Sequence, residues 1–314
     1  MRAAARPRRL AVARAGTALL ALLMVATACA PEDADDAGGT TPEATADQSE
    51  PSGSTEPSAE STESAGGSCS PDALGTLTAG TLTIATDQPA YEPWMVDDDP
   101  TNQQGFEAAV AYAVAAELGY GDDEIEWVRV PFNAAIQPGP KQFDFDINQF
   151  SITDERKEAV DFSSPYYAVT QAVVATGSSP AADVTTLAEL TDLSVGAQVA
   201  TTSLQALQQV VDEPAVFNSN DDAKLALENG QVDAIVVDLP TAFFITAAEL
   251  TDGVIVGQLP DSSEGGDEFG LLLDKDSALT DCVSTAVDAL RDDGTLSELE
   301  AEWLADVADA PVLE

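Results

Sequence analysis

The sequence contains no histidine, and only 12 of its 314 residues are lysine or arginine, against 56 aspartates and glutamates. Arg2, Arg6, Arg8, Arg9 and Arg14 take five of those cations before residue 15. Arg129, Lys141, Arg156, Lys157, Lys224, Lys275 and Arg291 are what remains for everything after them. So acidic a surface repels nucleic acid and anionic lipid headgroups, and neither is expected as a partner. Most of the acids serve solubility. Without histidine, general acid or base work would fall to a carboxyl group of raised pKa. The acid runs DDDP (97–100) and GDDE (121–124) lack the spacing of an EF-hand loop and read as solvated loops. No metal and no cofactor is expected.

Long apolar runs are also missing. The N-terminal one, Ala18 to Val25, falls well short of the roughly 20 residues a transmembrane helix needs. Its basic flank and the small residues before Cys29 make 1–28 a secretion signal. Val25 to Cys29 resembles the lipobox of bacterial lipoproteins, in which the cysteine is acylated and becomes the mature N-terminus; ordinary signal cleavage nearby is the alternative. Residues 29–69 are rich in Pro, Ser, Thr, Gly, Glu and Asp, with almost nothing to bury, and read as a disordered acidic tether. Such a leash spans about 35 Å on average and about 140 Å pulled taut.

Three cysteines are few. With Cys29 given to lipid, Cys69 and Cys282 remain, and outside the cytoplasm such a pair usually bonds. The closed loop would contribute about 5 kcal/mol in the chain-entropy model. The other arrangement is one free buried cysteine and one exposed.

The rest of the chain is long enough for one or two domains with real cores. LTIAT (82–86) reads as a buried strand, GFEAAVAYAVAAELG (105–119) as a helix with Phe106, Val110, Ala113, Val114 and Leu118 on one face, and EWVRV (126–130) as a strand. That strand, helix, strand unit predicts a parallel sheet. The pattern recurs after Pro180, with strands at 193–198, 215–217 and 232–238 and helices at 201–210 and 221–230. FGLLL (269–273), a helix over 277–292 with a buried stripe of Leu279, Val283, Val287 and Leu290, and a helix around Trp303 complete the pattern.

Six blocks in this order, TLTIATDQPAYEPW, QGFEAAVAYAVAAELG, FDFDINQFSITDERKEAVDFSSPYY, VGAQVATT, LENGQVDAIVVD and LRDDGTLSELEAEW, carry a resemblance. Residues 82–303 resemble the extracytoplasmic solute-binding proteins, family 3, that serve ABC importers of polar amino acids. The resemblance implies an α/β clamshell of the periplasmic-binding-protein-like II type, with a mixed, mainly parallel sheet in each lobe. It puts 70–170 and 268–314 in lobe one and 171–267 in lobe two, with crossings near 167–173 and 265–270. Cys69 and Cys282 then share a lobe.

The same resemblance assigns the site. Arg156, in T-x-E-R, matches the arginine that binds the ligand α-carboxylate, and a guanidinium can grip a carboxylate through two parallel hydrogen bonds that lysine cannot copy. Thr153 is a suitable N-cap for a short following helix, and Lys157 should face solvent. Ser151, Thr201 and Thr202 match groups around the carboxylate. Asp238 matches the acid that holds the α-ammonium. Tyr91, Trp94 and Phe132 match or neighbour positions that line the ligand side chain, and Asp87 a position that bears an acid in relatives for basic and for neutral ligands. The chain departs from the family at Asn148 and Gln149, where small residues are usual, and at Asp146, where an aliphatic one is. A buried Asp146 is expected to have a partner, because an unpaired one is costly. Ala200 replaces glycine.

These residues point to a monomeric, membrane-tethered binder that closes on an amino acid or a derivative and hands it to a permease. Two other classes compete on the same fold: a secreted enzyme resembling cyclohexadienyl dehydratase, for which no paired-carboxylate motif is visible, and a soluble ligand-sensing co-receptor.

Overall fold

Strand β1 (Leu82–Thr86) is buried at every position, with Leu82 and Ile84 packed in one apolar cluster and Ala85 in another, as a strand covered on both faces requires. In this computed structural model, which describes residues 69–260, 266–304 and 310–314, β1 pairs in parallel with β2 (Ile125–Arg129) and β3 (Phe145–Asp146). The crossover from β1 to β2 is helix α1 (Phe106–Glu117), which lays Phe106, Val110 and Val114 on the sheet. Gly119, at φ +87, ends it in the left-handed conformation that glycine adopts at little cost. Two one-turn helices, α2 (Phe132–Ala135) and α3 (Asp154–Lys157), flank β3. The long strand β4 (Val160–Val169) closes the sheet through β10 (Asp267–Asp274), giving the order β2-β1-β3-β10-β4.

The chain passes to the second lobe at Thr170, since β5 (Gln171–Thr176) already belongs to the other sheet. Helix α4 (Leu187–Leu190) leads into β6 (Val195–Gln198), α5 (Thr202–Gln208), β7 (Ala215–Phe217), α6 (Asn220–Glu228), β8 (Ala234–Asp238), α7 (Leu239–Phe244) and β9 (Gly253–Gln258). The order is β7-β6-β8-β5-β9. Each sheet thus holds a parallel triplet extended by two antiparallel strands. The chain returns with β10 (Asp267–Asp274), followed by α8 (Thr280–Asp292) and α9 (Thr295–Trp303) on the first lobe. Leu279, Val283, Val287 and Leu290 are buried, as their spacing predicts.

Cys69 and Cys282 form a disulfide with 5.5 Å between their Cα atoms. The expected signal, Cys29 and nearly all of the expected tether lie outside the described residues. One boundary needs correction. Residues 310–314, expected in lobe one, lie on lobe two: Leu313 is buried in its core, and the Leu313 N–H donates to the Gln258 carbonyl at 2.9 Å. A single apolar residue near a chain end carries no periodicity, and the core that accepts it cannot be read from its neighbours.

Candidate functional site

Parallel strands present their carboxyl ends to one edge of a sheet, and ligands of open α/β folds sit in the crevice outside that edge. Both sheets do this here, facing each other. Between them lies a cleft of about 230 Å³. From lobe one, Asp87 follows β1, Phe132 opens α2, and Asn148, Gln149 and Ser151 follow β3. From lobe two, Gln198 ends β6, Thr201, Thr202 and Ser203 open α5, Asn218, Ser219 and Asn220 follow β7, and Asp238 ends β8.

Arg156 is buried at the cleft wall. Its Nη1 donates to the Ser151 carbonyl at 2.6 Å and its Nη2 to the Ala200 carbonyl of the opposite lobe at 2.9 Å. The guanidinium carbon stands 5.5 Å from the centre of the Phe132 ring, which stacks on Phe150. Among the described residues no carboxylate comes within ion-pair distance of it. Burial lowers its pKa to about 10, opposed by the more distant Asp238 and Asp267, so it stays charged at neutral pH. Thr153 caps α3, accepting from the Arg156 N–H at 3.2 Å, while Lys157 is exposed and pairs with Asp154.

Asp238 accepts from Gln171 Nε2 at 3.0 Å, and the same nitrogen reaches Asp267 at 3.2 Å. Burial pushes the Asp238 carboxyl from 3.8 up to about 7; the Gln171 bond opposes this, Asp267 adds to it and Arg156 opposes it. Asp87 is fixed by the Gln88 N–H at 2.6 Å and the Phe132 N–H at 3.0 Å. Ser151 and Thr202 join their hydroxyls across the lobes at 2.9 Å. Thr201 caps α5 through the Leu204 N–H at 3.1 Å. Burial pushes the pKa of the Tyr91 hydroxyl up, and repulsion from Asp221 and Asp87 adds to it.

The structure brings Arg156, Asp238, Ser151, Thr201, Thr202, Asp87, Tyr91 and Gln149 to one cleft. Trp94 is not there. Its ring is 0 % exposed among Phe106, Tyr167 and Phe269 in the lobe-one core, because its large apolar surface is better buried than shared with solvent. Asp146 also departs from expectation: it is 0 % exposed, and neither carboxylate oxygen has a hydrogen-bond partner among the described residues. Burial, with repulsion from Glu107 and Asp87, pushes its pKa well above the ordinary 3.8, which favours the protonated form. Sequence reasoning missed Gln198 and the Asn218, Ser219, Asn220 run; their one signal was a polar stretch directly after a strand. Among the described residues no group of three or more acids or cysteines is placed to hold a metal ion.

Two lobes joined by strand crossings, with a polar cleft between opposed strand ends, define a ligand-binding clamshell. The chain belongs to the bacterial extracellular solute-binding proteins, family 3, whose model matches residues 82–306. It is 27% identical over 234 residues to an arginine-binding periplasmic protein of Mannheimia haemolytica, covering 73% of this chain and 93% of that one. It is 30% identical over 234 residues to the L-cystine-binding protein TcyJ of Escherichia coli K12, covering 73% and 84%. An ancestral arginine-binding protein solved with arginine bound superposes with a TM-score of 0.60 at 29% identity, covering 71% of this chain and 98% of that one.

Proposed function

We propose that this protein is the substrate-binding component of an ABC importer, closing on a polar amino acid and presenting it to a membrane permease. The observation that carries this reading is the buried Arg156 guanidinium, without a paired acid among the described residues, lining the same cleft as Asp238. An uncompensated buried cation is costly, and a ligand carboxylate would satisfy it through charge-assisted hydrogen bonds. Ser151 and Thr202 add hydroxyls nearby, and Asp238 takes the α-ammonium. Because Arg156 and Asp238 belong to different lobes, each end of the zwitterion favours the closed form. That leaves the charge of Asp87 for the ligand side chain, which favours a cationic one and agrees with the arginine named for two relatives. Tyr91 and Phe132 flank that side chain. The domain works as a monomer, held at the extracytoplasmic face by lipid on Cys29 and the tether that follows.

Titration calorimetry against the twenty amino acids tests this. At least one polar amino acid is expected to bind and saturate without turnover, and Arg156→Ala should weaken it by about 2–5 kcal/mol, tens to thousands fold. Binding of none of the twenty, or unchanged affinity in the variant, overturns the reading.

A further inference from the structure

Gln149 stands where the cleft wall meets a buried acid that lies behind it. Glu107, on α1, is 0 % exposed and does not line the cleft. Its Oε1 accepts the Gln149 backbone N–H at 2.7 Å, and its Oε2 accepts the Gln149 side-chain amide. The Tyr166 hydroxyl donates to Oε1 and fixes the carboxylate from the other side. Gln149 is thereby held at both ends, with its backbone in the left-handed region at φ 46.

Burial raises the Glu107 carboxyl from 4.5 to about 7 against the bonds from Tyr166 and Gln149; above that pH it is a carboxylate, which only accepts hydrogen bonds, so the amide nitrogen of Gln149 faces Glu107. The amide carbonyl is then the polar atom left for the cleft, and among the described residues none of the hydrogen bonds of Gln149 uses it. Building on the proposed amino-acid site, we infer that Glu107 is a positioning residue: it orients Gln149 so that a carbonyl acceptor, not an amide donor, meets the ligand side chain. The cleft therefore selects side chains that end in N–H donors over isosteric ones that present an oxygen. A buried group built for one hydrogen-bond polarity rejects the other strongly, because the mismatch leaves both partners unpaired.

Glu107→Gln tests the orientation. A glutamine at 107 can accept the Gln149 and Tyr166 donors through its carbonyl, and its amide nitrogen then demands an acceptor. The Gln149 amide turns over to supply one and offers its NH₂ to the cleft. L-Arginine and L-citrulline differ by an N–H donor replaced with a carbonyl and by one positive charge; Asp87 reads the charge in the native protein and in the variant alike, so the change in their affinity ratio on substitution, in titrations of the full chain at pH 8, reports the amide. The native protein should prefer arginine, and Glu107→Gln should cut the ratio of affinities by about tenfold or more. Gln149→Gly, at a φ that glycine accepts freely, should reduce the preference to the part that the charge of Asp87 supplies and make a second change at Glu107 silent. Thermal unfolding of each variant separates loss of fold from loss of selectivity.

An unchanged ratio in a folded Glu107→Gln protein, or an equal change with glycine at 149, overturns the inference. So does a native protein that binds neither arginine nor lysine. Those results leave the amino-acid site standing if another of the twenty binds, whereas indifference to Arg156→Ala sinks the site and not the polarity of Gln149.

Discussion

Trp94, in the core of lobe one, donates its indole N–H to the hydroxyl of Thr241 in lobe two at 2.8 Å, although neither residue lines the cleft. The bond exists only while the lobes are together. Ser151 to Thr202 and Arg156 to Ala200 are inter-lobe bonds of the same kind, and on the proposed closing motion all three are gained by the closed form and absent from an open one. A buried indole N–H without a partner is unfavourable, so closure is tied to making this bond. Thr241→Val keeps the shape and removes the acceptor. Closed-state stability should fall by about 1 kcal/mol and ligand affinity by about fivefold, with the unfolding temperature of the ligand-free protein nearly unchanged. Calorimetry showing native affinity in this variant would remove the bond from the closing mechanism.

Ligand affinity should rise with pH and level off above about 7. In the empty cleft the Asp238 carboxyl is raised from 3.8 to about 7, first by burial. Below that pH it carries a proton, and an ammonium must displace the proton to bind. Over the range 5 to 7 each pH unit costs about 1.36 kcal/mol of differential interaction, so affinity at pH 5 should be about a hundredfold below that at pH 8. Proton release, seen as a buffer-dependent heat of binding, checks the sign. The slope should vanish in Asp238→Asn, and a slope that persists there would reassign it to another group.

Asp146→Val should stabilise the protein, and more at pH 8 than at pH 5. The folded carboxyl has a pKa well above the ordinary 3.8, through burial and the repulsion of Glu107 and Asp87, with Lys141 opposing. The folded state therefore holds this proton more tightly than the unfolded chain. Its contribution is fully present below the unfolded pKa and is lost as pH rises through the folded one. Valine has no proton to lose and fits the apolar cluster of Ala85, Phe132 and Leu272, whose Ala85 and Leu272 sit opposite Asp146 in the sheet. A gain of about 1–3 kcal/mol in urea unfolding at neutral pH is expected. A gain that shrinks as pH rises would show that the carboxyl has a partner after all.

What the sequence made legible follows from which signals are local. The stripe of Val283, Val287 and Leu290 recurs with the helical period, so α8 was readable without its neighbours. Gly119 and Gly230 mark helix ends because the left-handed conformation there suits them. Arg156 stood out because cations are scarce and a motif surrounds it. Trp94 did not reveal its side: an aromatic next to the cleft and one behind it look alike until the second lobe is placed. Glu107 was hidden among many acids, and only its contacts with Gln149 and Tyr166, each more than 40 residues away, separate it from them. Asp146 read correctly as a buried anomaly, but whether it found a partner depended on side chains no strand pattern fixes.

Replacing Cys69 and Cys282 with serine should destabilise the fold without weakening the ligand complex. Their bond closes a loop with a sequence separation of 213, which contains both passages between the lobes and all of the second sheet. In the chain-entropy model a loop of that length restricts the unfolded chain by about 5 kcal/mol, an upper figure because the unfolded chain is not a random coil. Neither cysteine lines the cleft, and Cys282 sits on the flank of α8 against the lobe-one core. The restraint therefore acts on the unfolded ensemble and leaves the contacts between the lobes unchanged. Urea midpoints should drop in the double variant and in native protein kept reduced, while titrations under conditions where both remain folded give matching affinities. A double variant as stable as the native protein would mean that the packing of Leu74 and the Asp144 bonds to the Leu77 and Thr83 N–H groups already hold the start of the folded region in place.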